Sequence, residues 1–243
     1  MIIYIVCAHY YGRVTYFNAR FMVFMRTFQL FIKRAFDLTV SIILLILLTV
    51  IPFMIIIPIC IKLTSKGPAV FTQERIGKNG KVFKIYKFRT MRIPEDSLDE
   101  NGNQLEPKQR ITKFGAFLRK TSLDELMQIF NIINGTMSFV GPRPTLPYQA
   151  ERYDETQKKR LNMRPGLTGW AQVNGRNDIT WSEKIVYDVE YIEKFSIWFD
   201  IKILFKTVGV VLRQGGIAFT KNDSINAKTT DSEKEAKAET AQK

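Results

Sequence analysis

Asp124 and Glu125 stand side by side in the stretch TSLDEL, residues 121–126. Adjacent carboxyl groups can supply a nucleophile and an electrostatic partner for it. The same six residues also have a plainer reading. Ser122 followed three positions later by Glu125 is the pattern of a capping box, and acids in a first helical turn complement the helix dipole. Scarcity elsewhere raises the standing of the acids. The chain has one histidine, His9, and two cysteines, Cys7 and Cys60, which form no CxxC pair. A histidine-dependent triad, a cysteine-based zinc site and a disulfide framework are therefore excluded as expectations. A nucleophile or general base must come from Asp, Glu, Lys, Tyr, Ser or Thr.

Acids that work on phosphates need cations beside them, and the chain carries 36 Lys+Arg against 23 Asp+Glu, a net +13. The last 23 residues, 221–243, hold five lysines and five acids, so the excess lies upstream. Such a balance suits nucleic acid, an anionic bilayer surface or phosphorylated substrates. Arg143 sits in SFVGPRP between Pro142 and Pro144, whose rings fix the backbone on either side. That constraint either preorganises a guanidinium for bidentate phosphate contact or merely decorates a surface turn. The segment FTQERIGKNGKVFKIYKFRTM presents Lys81, Lys84, Lys87 and Arg89, a solvated face or a guide for phosphates. RPGLTGWAQVNGR gathers Arg164, Arg176, Trp170 and three glycines into a segment too dense to be a linker. GKNGKV lacks the spacing and the Ser or Thr of a Walker A loop.

The elements that must position these residues begin with LTVSIILLILLTVIPFMIIIPICI, 24 uncharged residues at 38–61. This exceeds the roughly 20 residues that cross a bilayer as a helix, and membrane insertion is expected. Pro52 and Pro58 break its second half, predicting a bend over residues 49–52. Lys33 and Arg34 precede it and Lys62 and Lys66 follow it, so both flanks are basic. A helix-break-helix that re-enters one leaflet satisfies the positive-inside rule; a kinked spanning helix is the alternative. Downstream, apolar alternation on both sides of 77–80 with Asn79-Gly80 predicts a β-hairpin. Residues 93–109 read as a mobile polar loop, 111–120 as a helix, and the segment after Ser122 as a second helix ending near Asn134-Gly135. Residues 187–213 fit an interfacial amphipathic helix pair, with Trp198 and Phe199 at headgroup depth, or equally core helices.

In order along the chain, KRAFD (33–37), the proline-broken apolar helix, FTQERIG, FKIYKFRTM, SLDEL, MSFVGPRP and RPGLTGWAQVNGR resemble the bacterial sugar transferases, the monotopic phosphoglycosyl transferases. The resemblance covers roughly residues 33–213. It implies transfer of a sugar-1-phosphate from a UDP-sugar to polyprenyl (undecaprenyl) phosphate, with release of UMP and initiation of cell-surface glycoconjugate synthesis. It implies Mg2+, a covalent phosphosugar on Asp124, and a supporting role for Glu125 in positioning or deprotonating the acceptor. Asp124 would also touch the metal, and Arg119, Arg143, Lys87, Arg89, Arg164 and Arg176 would bind substrate. It selects re-entry over spanning, with Pro52 at the break and the catalytic domain on the cytoplasmic face of a bacterial inner membrane.

The fold expected is α+β, mainly helical with a small β-hairpin, a re-entrant membrane segment and interfacial amphipathic helices. The expected divisions are an N-terminal extension (1–32), the re-entrant helix (33–62), a catalytic domain (63–220) and a disordered tail (221–243). Met22 and Met25 lie just before the motif region, so an internal start is expected. A membrane-tethered nucleic-acid or anionic-lipid binding protein is the rival. Paired acids beside Arg143 would repel nucleic acid, and membrane lipids, UDP-sugar and polyprenyl phosphate are the partners expected in its place.

Overall fold

The computed structural model describes residues 2–50, 52–99, 102–175 and 179–213, with side chains over 20–49, 52–99, 102–175 and 179–211. Helix α1 (Ile2–Val50) and helix α2 (Phe53–Thr64) meet at Pro52. The segments on either side of it, Arg20–Thr49 and Phe53–Thr64, are bent by 61°. Pro52 offers no amide donor, but its carbonyl accepts from the Ile55 and Ile56 amides at 3.1 and 2.8 Å and restarts the helix. Thr49 Oγ1 donates back to the Leu45 and Ile46 carbonyls at 3.0 and 2.8 Å, which bends the last turn of α1 as expected. Pro58 stays inside α2. No single helix among the described residues is long and apolar enough to cross a membrane; the bent pair passes that test together by length and composition. α1 runs unbroken through the division expected at 32/33, and the expected tail at 221–243 lies outside the described residues.

KRAFD explains why α1 cannot swing freely. Lys33 Nζ donates to the Val140 carbonyl at 2.8 Å and to Asp200 Oδ2 at 2.5 Å. Tyr191 OH holds the other oxygen of Asp200 at 2.7 Å. Arg34 donates to the Ile132 and Ile133 carbonyls at 2.5 and 2.8 Å, and Asp37 Oδ1 accepts from the Phe139 amide at 3.1 Å. Lys33, Asp37 and Asp200 are all buried, so each charge must be matched where it sits. Beyond Asp37, α1 and α2 leave Ile42, Ile43, Ile46, Leu47, Ile55, Ile56 and Ile59 exposed.

The hairpin forms as the alternation predicts. β1 (Val70–Ile76) pairs antiparallel with β2 (Val82–Phe88), from Val70↔Phe88 to Ile76↔Val82. Asn79 (φ 56°) and Gly80 (φ 74°) take the left-handed turn conformation. At one end Phe88 packs with Ile57 and Ile61 of α2 and with Leu118 of α3 (Lys113–Thr121). At the other, Ile85 packs with Ile132 of α4 (Gln128–Ile133) and Met137. The loop at 93–109 contains a 3-10 turn (Pro94–Asp96), an isolated bridge, Leu98↔Gln104, and a fully buried Ser97, and the bridge Met91↔Ile111 joins the residues on either side of it.

A second sheet was not anticipated. β3 (Ser138–Val140) pairs in parallel with β4 (Gly166–Thr168), so the GPRP and RPG segments lie against each other. The approach requires glycine: a Cβ on Gly166 would lie 2.1 Å from the Gly141 amide nitrogen. Short helices α5 (Pro147–Ala150), α6 (Glu155–Lys158) and α7 (Trp170–Asn174) follow the chain, and α8 (Trp181–Glu193) and α9 (Ile197–Arg213) close it. The last helix has a buried face and an exposed one. Ile203 is fully buried with Tyr191, and Phe199 packs on Trp170 at 4.9 Å, whereas Trp198 is 79% exposed and Phe205 75%. Phe199 therefore belongs to the core, and Trp198 to the outer face.

Removing Lys33 strands a buried carboxylate, which costs on the order of 3–5 kcal/mol. Lys33→Met is expected to lower the free energy of unfolding by that amount, read from denaturant curves, and adding Asp200→Asn should recover at least half. A single variant as stable as wild type would show that the pair does not fasten α1.

Candidate active site

Asp124 and Glu125 lie on a 3-10 turn (Leu123–Glu125) between α3 and α4. The capping box is not formed, which corrects the expectation for Ser122. Ser122 takes a left-handed conformation (φ 58°) and ends α3, its amide bonding back to the Arg119 carbonyl at 3.2 Å. Its side chain makes no capping bond, because the residue is closing the preceding helix. The following helix does end at Asn134-Gly135 as expected, with Gly135 at φ 83°. Leu123, Leu126 and Met127 face inward against the cluster that contains Ile57, Ile61, Phe88 and Leu118. The acidic turn thus rests on a cluster shared by α2, β2 and α3.

The two acids differ sharply in surroundings. Lys87 Nζ reaches Glu125 Oε1 at 2.7 Å, and Arg143 Nη2 stands 3.5 Å from the same oxygen. Burial pushes the Glu125 carboxyl up, but Lys87 and Arg143 override it and hold the pKa at about 2. Asp124 goes the other way. Burial, then repulsion from Glu125, raise it to about 6 against the opposing pull of Lys87 and Arg119. Its Oδ1 is buried without a hydrogen-bond partner among the described residues. Neighbouring carboxyls with pKa values driven apart are a mark of divided catalytic labour.

Both acids line a cleft of about 1350 Å³. Its polar side includes Lys87, Arg92, Arg119, Arg143 and Arg160; its apolar side includes Leu44 and Leu48 of α1 and Leu204, Val210 and Val211 of α9. Arg119 Nε donates to Thr90 Oγ1 at 2.7 Å. Buried Pro142 and Pro144 flank Arg143, whose side chain is 55% exposed into the opening.

Other expected substrate-binding residues are occupied elsewhere. Arg89 touches the cleft, but its guanidinium donates to the Ser65 and Lys66 carbonyls and to Ser65 Oγ, closing the end of α2. Arg164 Nε donates to the Gly135 carbonyl at 2.8 Å, and the residue does not line the cleft. Lys81 and Lys84 are exposed on the hairpin outside it. Arg176 lies outside the described residues.

Arg160 was missed. It is buried, donates to Tyr153 OH at 2.5 Å and to the Arg143 carbonyl at 3.0 Å, and pairs with Asp188. Its guanidinium also stands 5.5 and 5.4 Å from the ring centres of Tyr153 and Trp181. In the sequence it ends the charged run ETQKKR, the pattern of a solvated face; the aromatic residues Tyr153 and Trp181, distant along the chain, were the weak signal against that.

Among the described residues no group of three or more His, Cys, Asp or Glu side chains converges as a metal cage. The bare Oδ1 of Asp124 fits an ion that takes one or two protein carboxylates and completes its shell with phosphate oxygens and water, the habit of Mg2+.

This geometry, an anchored acid beside a bare one among arginines, has the chemistry to receive phosphates. Residues 28–214 match the bacterial sugar transferase family, and the chain belongs to it. It is 45% identical over 191 residues to the sugar transferase EpsL of Bacillus subtilis, covering 79% of this chain and 92% of that one. It is 43% identical over 202 residues to the galactosyl transferase CpsE of Streptococcus agalactiae, covering 79% of this chain and 44% of CpsE. It is 44% identical over 186 residues to the UDP-glucose:undecaprenyl-phosphate glucose-1-phosphate transferase of Escherichia coli, covering 73% and 39%. The matched region thus spans less than half of these last two relatives.

The pKa shifts fix a stability test. Asp124 has a folded pKa above its ordinary 3.8, so its ionisation opposes folding; the penalty is complete above about pH 6 and gone below about 3.8. Asp124→Asn is expected to stabilise the protein at pH 8 by on the order of 1–3 kcal/mol, with the gain fading toward pH 4. Glu125 has the opposite sign: its contribution is full above 4.5 and lost as pH falls through about 2. Unfolding curves of Asp124→Asn across this range check the assignment, and a destabilised variant at pH 8 contradicts it.

Proposed function

We propose that the protein transfers a sugar-1-phosphate from a UDP-sugar to polyprenyl (undecaprenyl) phosphate in two steps through Asp124. The observation that carries this reading is the bare Asp124 carboxyl beside a Glu125 neutralised by Lys87 and Arg143, in a cleft that continues into an apolar wall. An Asp124 oxygen attacks the β-phosphorus of the UDP-sugar. The bond from that phosphorus to the bridging oxygen breaks, and UMP leaves with the electron pair. An oxygen of the polyprenyl phosphate then attacks the same phosphorus, the bond to Asp124 breaks, and a polyprenyl diphosphosugar is formed.

Each charged group has a place in this scheme. A carboxylate approaching a diphosphate meets anionic repulsion, and Arg143 and Arg119 offset it where the charge develops. Asp124 would hold Mg2+, which would supply further neutralisation of the phosphates. Glu125 is held at about 2 and is a poor proton acceptor at neutral pH. A phosphate monoester with a second pKa near 6 needs little help to ionise. We therefore assign Glu125 to orienting Lys87 and Arg143 rather than to deprotonating the acceptor.

The proposed setting is the cytoplasmic face of a bacterial inner membrane. The exposed apolar faces of α1 and α2 suit insertion of the bent pair, and the basic residues at both ends suit re-entry. The outer face of α9, with Trp198 and Phe205, suits the headgroup layer. The name of the Escherichia coli relative supports a UDP-hexose donor and an undecaprenyl phosphate acceptor. The proposed lipid-linked product is of the class that glycosyl transfer extends into surface polymers.

Membrane fractions are expected to release UMP continuously from at least one UDP-sugar only with polyprenyl phosphate and Mg2+ present, donor alone giving at most one UMP per enzyme. Asp124→Asn should reduce this by at least about 10³-fold, and turnover by the wild type should rise with pH as Asp124 ionises, through about 6. Mass spectrometry with donor alone should find the phosphosugar on Asp124. No turnover across a panel of UDP-sugars would refute the reaction, and an active Asp124→Asn would remove the nucleophile.

A further inference from the structure

The carboxamide of Gln172 is unexplained by the chemistry above. Both Oε1 and Nε2 are buried, and neither has a hydrogen-bond partner among the described residues. Buried amides in folded proteins are almost always paired, so an orphaned donor and acceptor on one side chain point to a group that arrives from outside. Gln172 lines the same cleft as Asp124.

Its place is rigid. α7 is held by Trp170, whose ring packs at 4.9 Å on Phe199 and whose Nε1 donates to Glu190 at 2.9 Å. The preceding residue of the helix start, Gly169, lies directly beneath the amide: a Cβ there would stand 2.7 Å from Gln172 Oε1 and 2.2 Å from the Gly141 carbonyl. The backbone has been cleared so that this side chain can lie where it does.

We propose that Gln172 reads the sugar of the donor substrate, its Nε2 donating to one ring hydroxyl and its Oε1 accepting from a neighbouring hydroxyl or acylamino N–H. The inference rests on the transfer reaction proposed above and names a specificity-determining residue for it. A phosphate offers only acceptors and would leave Oε1 orphaned, so neither the diphosphate nor the lipid phosphate satisfies this amide. The imide edge of uracil offers a donor and an acceptor, but a base also wants an aromatic face. Of the rings that line the cleft, Phe71, Phe88, Tyr148, Tyr153 and Trp181 belong to β1, β2, α5, the loop after it and α8, and Phe139 of β3 has its ring against Phe36. The lining side chains on β4 and α9 next to α7 are Leu167, Thr168, Leu204 and Thr207, and the two threonine hydroxyls already bond each other at 2.8 Å. Aliphatic and hydroxyl surfaces suit the face of a pyranose.

The test compares kcat/KM, by UMP release, for the accepted UDP-sugar and its monodeoxy analogues, in wild type and Gln172→Leu. Wild type should lose at least about tenfold on one analogue, because removing that hydroxyl leaves a buried amide atom unpaired. Gln172→Leu should lose a similar factor on the parent sugar and no longer distinguish it from that analogue, with KM for polyprenyl phosphate and preference for UDP over CDP unchanged. The wild-type arm needs no variant to fold. Equal treatment of every deoxy analogue by wild type, as when only water satisfies the amide, overturns the assignment. So does full activity of Gln172→Leu, or an effect confined to the lipid phosphate or to the base. Failure of wild type to release UMP from any UDP-sugar would instead overturn the transfer reaction, and this assignment with it.

Discussion

Two adjacent carboxylates in a partly buried cleft repel each other, and the structure depends on how that repulsion is resolved. Lys87, the next-to-last residue of strand β2, meets Glu125 at 2.7 Å and keeps it the charged member of the pair. Asp124 then sits beside a fixed negative charge, its proton retained more tightly than usual and its Oδ1 unmatched. A group held this way is destabilising at rest and gains most when an electrophilic phosphorus or a cation arrives. Removing Lys87 would therefore disturb both acids, the one it touches and the one it leaves alone.

That arrangement must be held against α2, since the acidic turn has little structure of its own. Leu123, Leu126 and Met127 pack on Ile57, Ile61, Phe88 and Leu118, so α2 forms the floor beneath the acids. Arg89 closes the end of α2 by binding the Ser65 and Lys66 carbonyls. Lys33, Arg34 and Asp37 tie α1 to β3, α4 and α9 on the other side. The bend at Pro52 is thus fixed at both limbs by polar contacts with the rest of the fold. Arg160 performs the equivalent task for Arg143, gripping its carbonyl while Asp188, Tyr153 and Trp181 hold the guanidinium. Arginines here divide into those that face the cleft and those that build its walls.

That division was not legible in the sequence. Local signals read well: the Asn79-Gly80 hairpin, the break at Pro52 and the end of α4 at Gly135 all depend on residues close together in the chain. Motif order alone brought Asp124, Glu125, Arg119, Arg143 and Lys87 into one expectation, and they do share one cleft. What failed was long-range. β3 and β4 are three residues each, too short for an alternation pattern, and their pairing spans the whole of α5 and α6. Arg89 and Arg164 resemble any other basic residue in a phosphate-binding sequence until the Ser65 and Gly135 carbonyls that accept from them are in view. Ser122 carries a capping pattern that is correct in composition, yet the left-handed turn needed to end α3 takes precedence.

The shape of the cleft also bears on why the proposed transfer would proceed in two steps. Donor and acceptor are both anions, and binding both phosphates at once would concentrate charge that Arg119 and Arg143 alone offset weakly. A covalent stop on Asp124 lets UMP leave, with its charge, before the second phosphate must draw near. The same cations can then serve twice in succession. The apolar wall from Leu44 and Leu48 to Val210 and Val211 suits a partner whose hydrocarbon part stays in lipid while its phosphate reaches the acids. Turnover on such a surface requires only that the phosphates be exchanged at one point, the acidic turn supported by the cluster that α2, β2 and α3 share.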